Sequence, residues 1–182
     1  MERPAVFLDR DGVINKKMPE GDYVKEWREF HFLPGVFDAL MWLKNAGYII
    51  TIVTNQRCIE RGIITENKLQ DIHAEMTGYL EKMGILIDGI YVCPHDDTDN
   101  CDCRKPKPGM IIKAIKDFEK KGIKIDIGNS FMIGDSENDM LAGKAVGLNT
   151  IRIAADPRAD TCLVKESLLG AVSAIISLEA KI

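Results

Sequence analysis

No run of apolar residues in this chain approaches the roughly 20 that a membrane-spanning helix needs, although 46% of its residues are hydrophobic. That apolar content is spread over short segments, as in a globular core. Excess positive charge is missing too. With 24 Lys and Arg against 28 Asp and Glu the formal net charge is −4, which argues against a general nucleic-acid partner. Internal repeats, low-complexity segments and linkers are absent, and 182 residues suffice for one well-buried core but are few for two. One domain over 1–182 is therefore expected. Met1-Glu2-Arg3-Pro4 runs straight into a strand-like segment, so no signal peptide is expected. Histidine is scarce, at three, and the five cysteines are odd in number. A clustered, odd set suits metal ligands in a reducing compartment better than a disulfide frame. A soluble cytoplasmic protein with no membrane or nucleic-acid partner is the expectation, and nothing suggests an obligate assembly, so a monomer is expected.

The few soft ligands are concentrated. Cys93, His95, Cys101 and Cys103 fall within eleven residues, and Arg104 and Lys105 follow at once. Four such ligands close a tetrahedral zinc shell and leave no position for water, which makes the site structural rather than catalytic. A pair of disulfides is the rival reading, disfavoured by the compartment. Cys58 and Cys162 are expected to be free thiols, and His31 and His73 structural or surface residues.

Strand-length apolar runs recur at 5–8, 48–53, 89–92, 130–133 and 149–153, with helical spacing of apolar residues at 35–46, 65–83, 108–121 and 136–146 and a terminal helix at 165–179. Pro34 and Thr65-Glu66 open helices, and Gly47, Gly84, Gly122 and Gly147 close them. Near-continuous apolar strands alternating with helices imply an α/β fold, with a parallel sheet covered on both faces. Ligands bind such sheets at the carboxyl ends of the strands, so the residues just after each strand carry the chemistry.

Asp9 and Asp11 follow the first strand, and residues i and i+2 of an extended segment point the same way. Two acids beside Gly12 also suit a plain solvated turn. Thr54-Asn55-Gln56 end the second strand, where a threonine is often structural. Gly134-Asp135 end the fourth, with Asp139 one helical turn on; Asp135 alone would read as a helix cap. Together, a carboxylate nucleophile, a second acid, a hydroxyl, a lysine and a distant acidic pair supply phosphoryl transfer through an aspartyl-phosphate. Magnesium, which takes hard oxygen ligands and keeps several waters, fits that set.

This order resembles the haloacid dehalogenase superfamily of aspartate-nucleophile phosphatases over nearly the whole chain. Its first motif, Asp-x-Asp-Gly-[Thr/Val], matches Asp9 to Val13; Thr54, Lys105 and Gly134-Asp135 with Asp139 match the others. The resemblance implies a Rossmann-like three-layer sandwich, Asp9 as nucleophile and Asp11 as general acid/base, with Thr54 and Lys105 holding the phosphoryl group. It implies magnesium on Asp9, the Asp11 carbonyl and Asp135, with Asp139 supporting. Cys-Pro-His followed by Cys-x-Cys-Arg-Lys-Pro looks like the branch shared by the heptose bisphosphate phosphatases and the histidinol-phosphate phosphatase domains. No cap domain fits between the motifs, so the core is expected to be capless and to recognise substrate through loops.

The resemblance also frames the substrate. Gly21-Asp22-Tyr23-Val24 resembles a Gly-Tyr-Val segment of the heptose branch with Asp22 inserted. Ile59, Arg61 and Gly62 match that branch's loop after the second motif, whereas Arg57 and Cys58 depart from it, and Asp88 to Cys93 follow its pattern. The short span from His95 to Cys101 resembles the histidinol-phosphatase branch instead. A bisphosphate needs cations for its unreacted phosphate, and Arg57, Arg61 and Arg104 are candidates, although Arg61 equally suits a solvated surface. Gly21, Asp22, Tyr23, Asn55 and Gln56 complete the expected substrate-binding set. Histidinol phosphate would prefer acids such as Glu20 or Asp22. The expectation is a small phosphorylated metabolite, a sugar bisphosphate, losing the 7-phosphate of D-glycero-D-manno-heptose 1,7-bisphosphate. Histidinol-phosphate hydrolysis and a non-catalytic zinc module binding a phosphorylated ligand are the alternatives.

Overall fold

Ala5-Val6-Phe7-Leu8 is apolar at every position because both faces of its strand are buried: Val6 and Leu8 pack into one core, Ala5 and Phe7 into another. The computed structural model describes residues 2–155 and 163–179, so Cys162 lies outside the described residues. The elements run β1 (Glu2–Arg3), β2 (Ala5–Leu8), α1 (Val36–Asn45), β3 (Ile49–Asn55), α2 (Glu66–Lys82), β4 (Gly89–Cys93), α3 (Gly109–Lys120), β5 (Lys124–Ile125), β6 (Phe131–Gly134), α4 (Glu137–Lys144), β7 (Asn149–Ile153), β8 (Leu163–Lys165) and α5 (Leu168–Glu179).

The main sheet has the order β4-β3-β2-β6-β7-β8 and is parallel throughout. Helices α1, α2 and α5 cover the face that carries Val6, Leu8, Ile50 and Ile52. Helices α3 and α4 cover the face that carries Phe7, Ile49 and Val53. Each large apolar side chain so buried stabilises the fold by about 1.5–3 kcal/mol. The period matches the layers: Met110, Ile111, Ala114 and Phe118 form the buried stripe of α3, as an amphipathic helix requires. Thr65 caps α2 by accepting from the Lys68 N–H. This is the expected three-layer α/β sandwich.

Three differences from the sequence reading concern short strands and helix ends. Among the described residues β1 and β5 pair only with each other; they are two residues long, too short to carry a period, and Glu2, Arg3 and Lys124 are charged. β8 occupies Leu163–Lys165, so the last helix starts at Leu168 rather than 165, and α4 ends at Lys144 rather than 146. Among the described residues no helix is long and apolar enough to cross a membrane.

Candidate active site

The chain leaves β2 for β3 on one side and later returns to β6 on the other, so the carboxyl end of β2 is the switch point where open parallel sheets bind ligands. Asp9 stands there, its N–H held by the Ile133 carbonyl at 2.9 Å. A cavity of about 630 Å³ opens above it, within the usual range for a small-molecule site. Asp9, Asp11, Thr54, Lys105 and Asp135 all reach its wall, as do Gly21, Asp22 and Tyr23 of the segment after the first motif.

Lys105 organises the floor. Its Nζ donates to Asp9 Oδ1 and the Val53 carbonyl, both at 2.8 Å, and lies 2.5 Å from Asp139 Oδ1. Two ammonium protons are directed at Asp9 and the Val53 carbonyl, and the charge sits between two carboxylates in a site only 4% exposed. Burial would release the Lys105 proton, but Asp9 and Asp139 outweigh it and hold the ammonium well above the ordinary lysine range. Burial raises the Asp9 carboxyl to about 7, aided by Asp139 and Asp11 and opposed by Lys105. The backbone of Lys105 is clamped from both sides by Asn55, whose Oδ1 accepts from its N–H and whose Nδ2 donates to its carbonyl, each at 3.1 Å.

Asp11 is held differently. Arg10, 1% exposed, donates from Nη2 to both Asp11 oxygens at 3.1 and 2.9 Å. Asn15 Nδ2 and Gln56 Nε2 add bonds of 2.9 and 2.8 Å. Burial pushes this carboxyl up, but Arg10 and the bonds from Asn15 and Gln56 prevail, and its pKa is lowered. Gln56 Nε2 also donates to Thr54 Oγ1 at 2.9 Å, which leaves the threonine proton free to be given elsewhere. Beneath, Arg10 Nη1 lies 3.0 Å from His73 Nε2. Burial and the neighbouring Arg10 drop His73 to about 3, so it is neutral and accepts. Arg10 and Asn15 were not expected from the sequence, and His73, expected to be a structural or surface residue, is a structural one buried against Arg10. Arg10 had a local signal, a cation between two strand-end acids; His73 had none, because it reaches Arg10 from α2, 63 positions away.

Asp135 also reaches the cavity, where Lys17 Nζ meets it at 2.6 Å. It is not the cap of α4: Ser136 is, in a box closed by Asp139, whose Oδ2 accepts from the Ser136 N–H at 3.0 Å. Asp139 is 0% exposed, spends its oxygens on Lys105 and Ser136, and supports the site from below. Gly12 has φ +90°, and a Cβ there would stand 2.6 Å from Asp135 Oδ2, so only glycine lets the first motif lie against that carboxylate. Oxygens of Asp9, Asp135 and Asp139 lie within 4.8 Å of one another. This all-oxygen set fits magnesium, whose short bonds and retained waters ask for one or two direct carboxylates. With Asp139 committed elsewhere, Asp9 and Asp135 are the direct candidates.

The knot after β4 is equally defined. Cys93, Cys101 and Cys103 have Sγ–Sγ distances of 3.1–3.6 Å, and His95 Nδ1 lies 3.6 and 3.3 Å from Cys93 and Cys103. Bonds of about 2.3 Å to sulfur and 2.0 Å to nitrogen put tetrahedral zinc ligands roughly 3.5–3.8 Å apart, close to this cage. The three cysteines are free and too far apart for disulfides, which removes the rival reading. Gly109, opening α3, packs so tightly on the loop that a Cβ would stand 2.2 Å from the Asp102 carbonyl oxygen. Cys58 is free and buried, as expected.

Several expected substrate contacts are committed to partners within the protein. Gln56 is 1% exposed, does not reach the cavity and serves Asp11 and Thr54. Asn55 reaches the wall, but its amide is occupied by the Lys105 backbone. Arg61 turns away to pair with Asp96 at 2.5 Å. Asp22 is bound to Lys25 at 2.7 Å and to the Tyr23 N–H. Arg57 and Arg104 do reach the cavity, and Lys17 and Asn138 join them without having been anticipated.

Comparison with known proteins gives a consistent outcome. The family model described as "Polynucleotide kinase 3 phosphatase" matches residues 5–158. The D-glycero-beta-D-manno-heptose-1,7-bisphosphate 7-phosphatase of Vibrio cholerae serotype O1 is 43% identical over 157 residues, covering 82% of this chain and 80% of the relative. That of Helicobacter pylori is 44% identical over 144 residues, covering 76% of each. A crystal structure of D,D-heptose 1.7-bisphosphate phosphatase from B. bronchiseptica, complexed with magnesium and phosphate, superposes with a TM-score of 0.83. It is 28% identical and the match covers 96% of this chain and 99% of that one.

Proposed function

Because the chain belongs to the polynucleotide kinase 3 phosphatase family and is similar to heptose bisphosphate phosphatases over most of its length, we propose that it is a magnesium-dependent phosphatase that removes the 7-phosphate of D-glycero-beta-D-manno-heptose 1,7-bisphosphate. The observation that carries the reading is the buried Lys105 ammonium 2.8 Å from Asp9 Oδ1, with Asp11 beside the same cavity.

In this reading an Asp9 oxygen attacks the phosphorus and the bond to the sugar oxygen breaks. Asp11 gives the departing oxygen a proton, and an aspartyl-phosphate remains on Asp9. Asp11 then takes a proton from water, whose oxygen attacks the phosphorus, releasing phosphate and restoring Asp9. Arg10, Asn15 and Gln56 hold Asp11 ionised, the form the second half needs; a phosphate dianion alongside opposes that ionisation in the first. The Lys105 ammonium and the free Thr54 proton face the transferring oxygens, and Asn55 fixes Lys105 in that position. Magnesium, held by Asp9 and Asp135 with the Asp11 carbonyl, would neutralise charge on those oxygens. Zinc on Cys93, His95, Cys101 and Cys103 would fix the loop that ends in Arg104 and Lys105, in place of a cap. Its thiolate ligands suit the reducing cytoplasm.

The test is phosphate release from the heptose bisphosphate and from histidinol phosphate by one preparation. A magnesium-dependent kcat/KM clearly higher on the bisphosphate is expected; equal, feeble rates on both would refute the substrate.

A further inference from the structure

Arg57 and Arg104 reach the cavity from different loops, one after β3 and one at the end of the zinc knot, yet both donate to one carboxylate, with Asp96 a further 3.7 Å neighbour of Arg57. Asp97 Oδ2 accepts from Arg57 Nη1 at 2.9 Å and Asp97 Oδ1 from Arg104 Nε at 2.6 Å. A carboxylate straddling two guanidiniums, one oxygen on each, reproduces how a phosphate would be held there. The cations are anchored from behind. Arg57 Nε donates to the Tyr23 hydroxyl at 2.9 Å, and Arg104 Nη1 to the His95 carbonyl at 3.1 Å. They are 29% and 15% exposed, whereas Asp97 is 64% exposed. The short turn at Asp97–Asp99 is capped by Asp96 and Asp99 and does not use the Asp97 side chain. Of the three partners, the anion is the one free to leave.

We propose that Asp97 is an internal competitor for the substrate's unreacted phosphate: its carboxylate fills the place between Arg57 and Arg104 in the free protein and gives way when that phosphate binds. The inference rests on the bisphosphate reading above. Charge supports the exchange. Arg57, Arg61 and Arg104 against Asp96 and Asp97 sum to +1, and removal of Asp97 leaves +2, matched to a phosphate dianion. A singly charged or neutral substituent gains too little to displace the carboxylate, so Asp97 sets selectivity for the second phosphate and tempers affinity for it.

The experiment compares the zinc-loaded, magnesium-supplied enzyme with its Asp97→Asn, Asp97→Ala and Asp97→Glu variants on heptose 1,7-bisphosphate and on heptose 7-monophosphate. The readout is the ratio of kcat/KM between the two substrates, with zinc content and melting temperature checked for each variant. Two exposed ion pairs of this kind, competing with a ligand for one site, correspond to about a three- to tenfold effect. Asp97→Asn and Asp97→Ala are expected to raise the ratio by that factor through a lower KM for the bisphosphate, and Asp97→Glu to keep it near wild type. A ratio unchanged or lowered in both charge-removing variants overturns the proposal, because Asp97 would then position the arginines for substrate. A wild-type enzyme with no preference for the bisphosphate would instead refute the substrate reading, and this inference with it.

Discussion

Replacing Asp9 by asparagine is expected to abolish turnover and, in magnesium-free buffer, to stabilise the fold at pH 8 clearly more than at pH 5. Burial, with Asp139 and Asp11 nearby, raises the Asp9 carboxyl from 3.8 to about 7 despite Lys105. An acid raised in this way keeps its proton in the folded protein between about pH 4 and 7, where the unfolded chain has lost it. Stability therefore falls as pH rises through that window. At ~1.4 kcal/mol per tenfold change in protonation, the full effect is on the order of 4 kcal/mol. Asparagine, neutral at every pH, escapes it, less what its amide N–H loses beside Lys105; a gain of about 2–4 kcal/mol at pH 8 results. For a chain of this size that is roughly 5–15 °C in Tm. The assay is thermal unfolding of both proteins at the two pH values, without chelator so that the zinc knot stays intact. Excess magnesium should then raise the wild-type Tm at pH 8 and leave Asp9→Asn unmoved. An equal Tm change at pH 5 and pH 8 would refute the reasoning.

Asp11→Asn is expected to lower kcat by about 10²–10⁴, measured as phosphate release with the fold checked by circular dichroism. Arg10→Met removes the buried partner of Asp11 and His73; loss of one member of a buried pair costs about 3–5 kcal/mol, which urea denaturation reads directly. The same variant should move the acid limb of the pH–rate profile upward, since Arg10 is the strongest influence lowering Asp11. Cys103→Ser is expected to leave the chain with less than one zinc and reduced turnover while far-UV circular dichroism stays near wild type; zinc loss with intact kinetics would show that the knot does not govern Lys105.

The alternation of apolar strands with helices was legible because burial on both faces leaves a continuous local run. Asp9, Thr54 and Asp135 were legible because strand ends bring them to one edge of such a sheet, whereas Lys105, on the loop after β4, was identified only by the resemblance. The two-residue strands β1 and β5 were not legible, since their pairing is tertiary and Ile125 is their one apolar residue. Gln56 and Arg61 show the limit from the other side. Both follow Thr54 within seven positions of the chain, and residue type suggested substrate contact, but the direction of each side chain was set by partners elsewhere, Asp11 for one and Asp96 for the other.

What the sequence determined by itself was composition at fixed spacing: the Asp-x-Asp-Gly turn, four zinc-type ligands in eleven residues, and a lysine two positions beyond the last of them. Those are properties of neighbours in the chain. Only the folded molecule decided how charges far apart in sequence meet. It put Lys17 on Asp135, His73 under Arg10, and Asp97 between Arg57 and Arg104. Such pairings span up to 118 positions, and burial, which fixes whether an acid keeps its proton, exists only once the two cores have closed around the sheet.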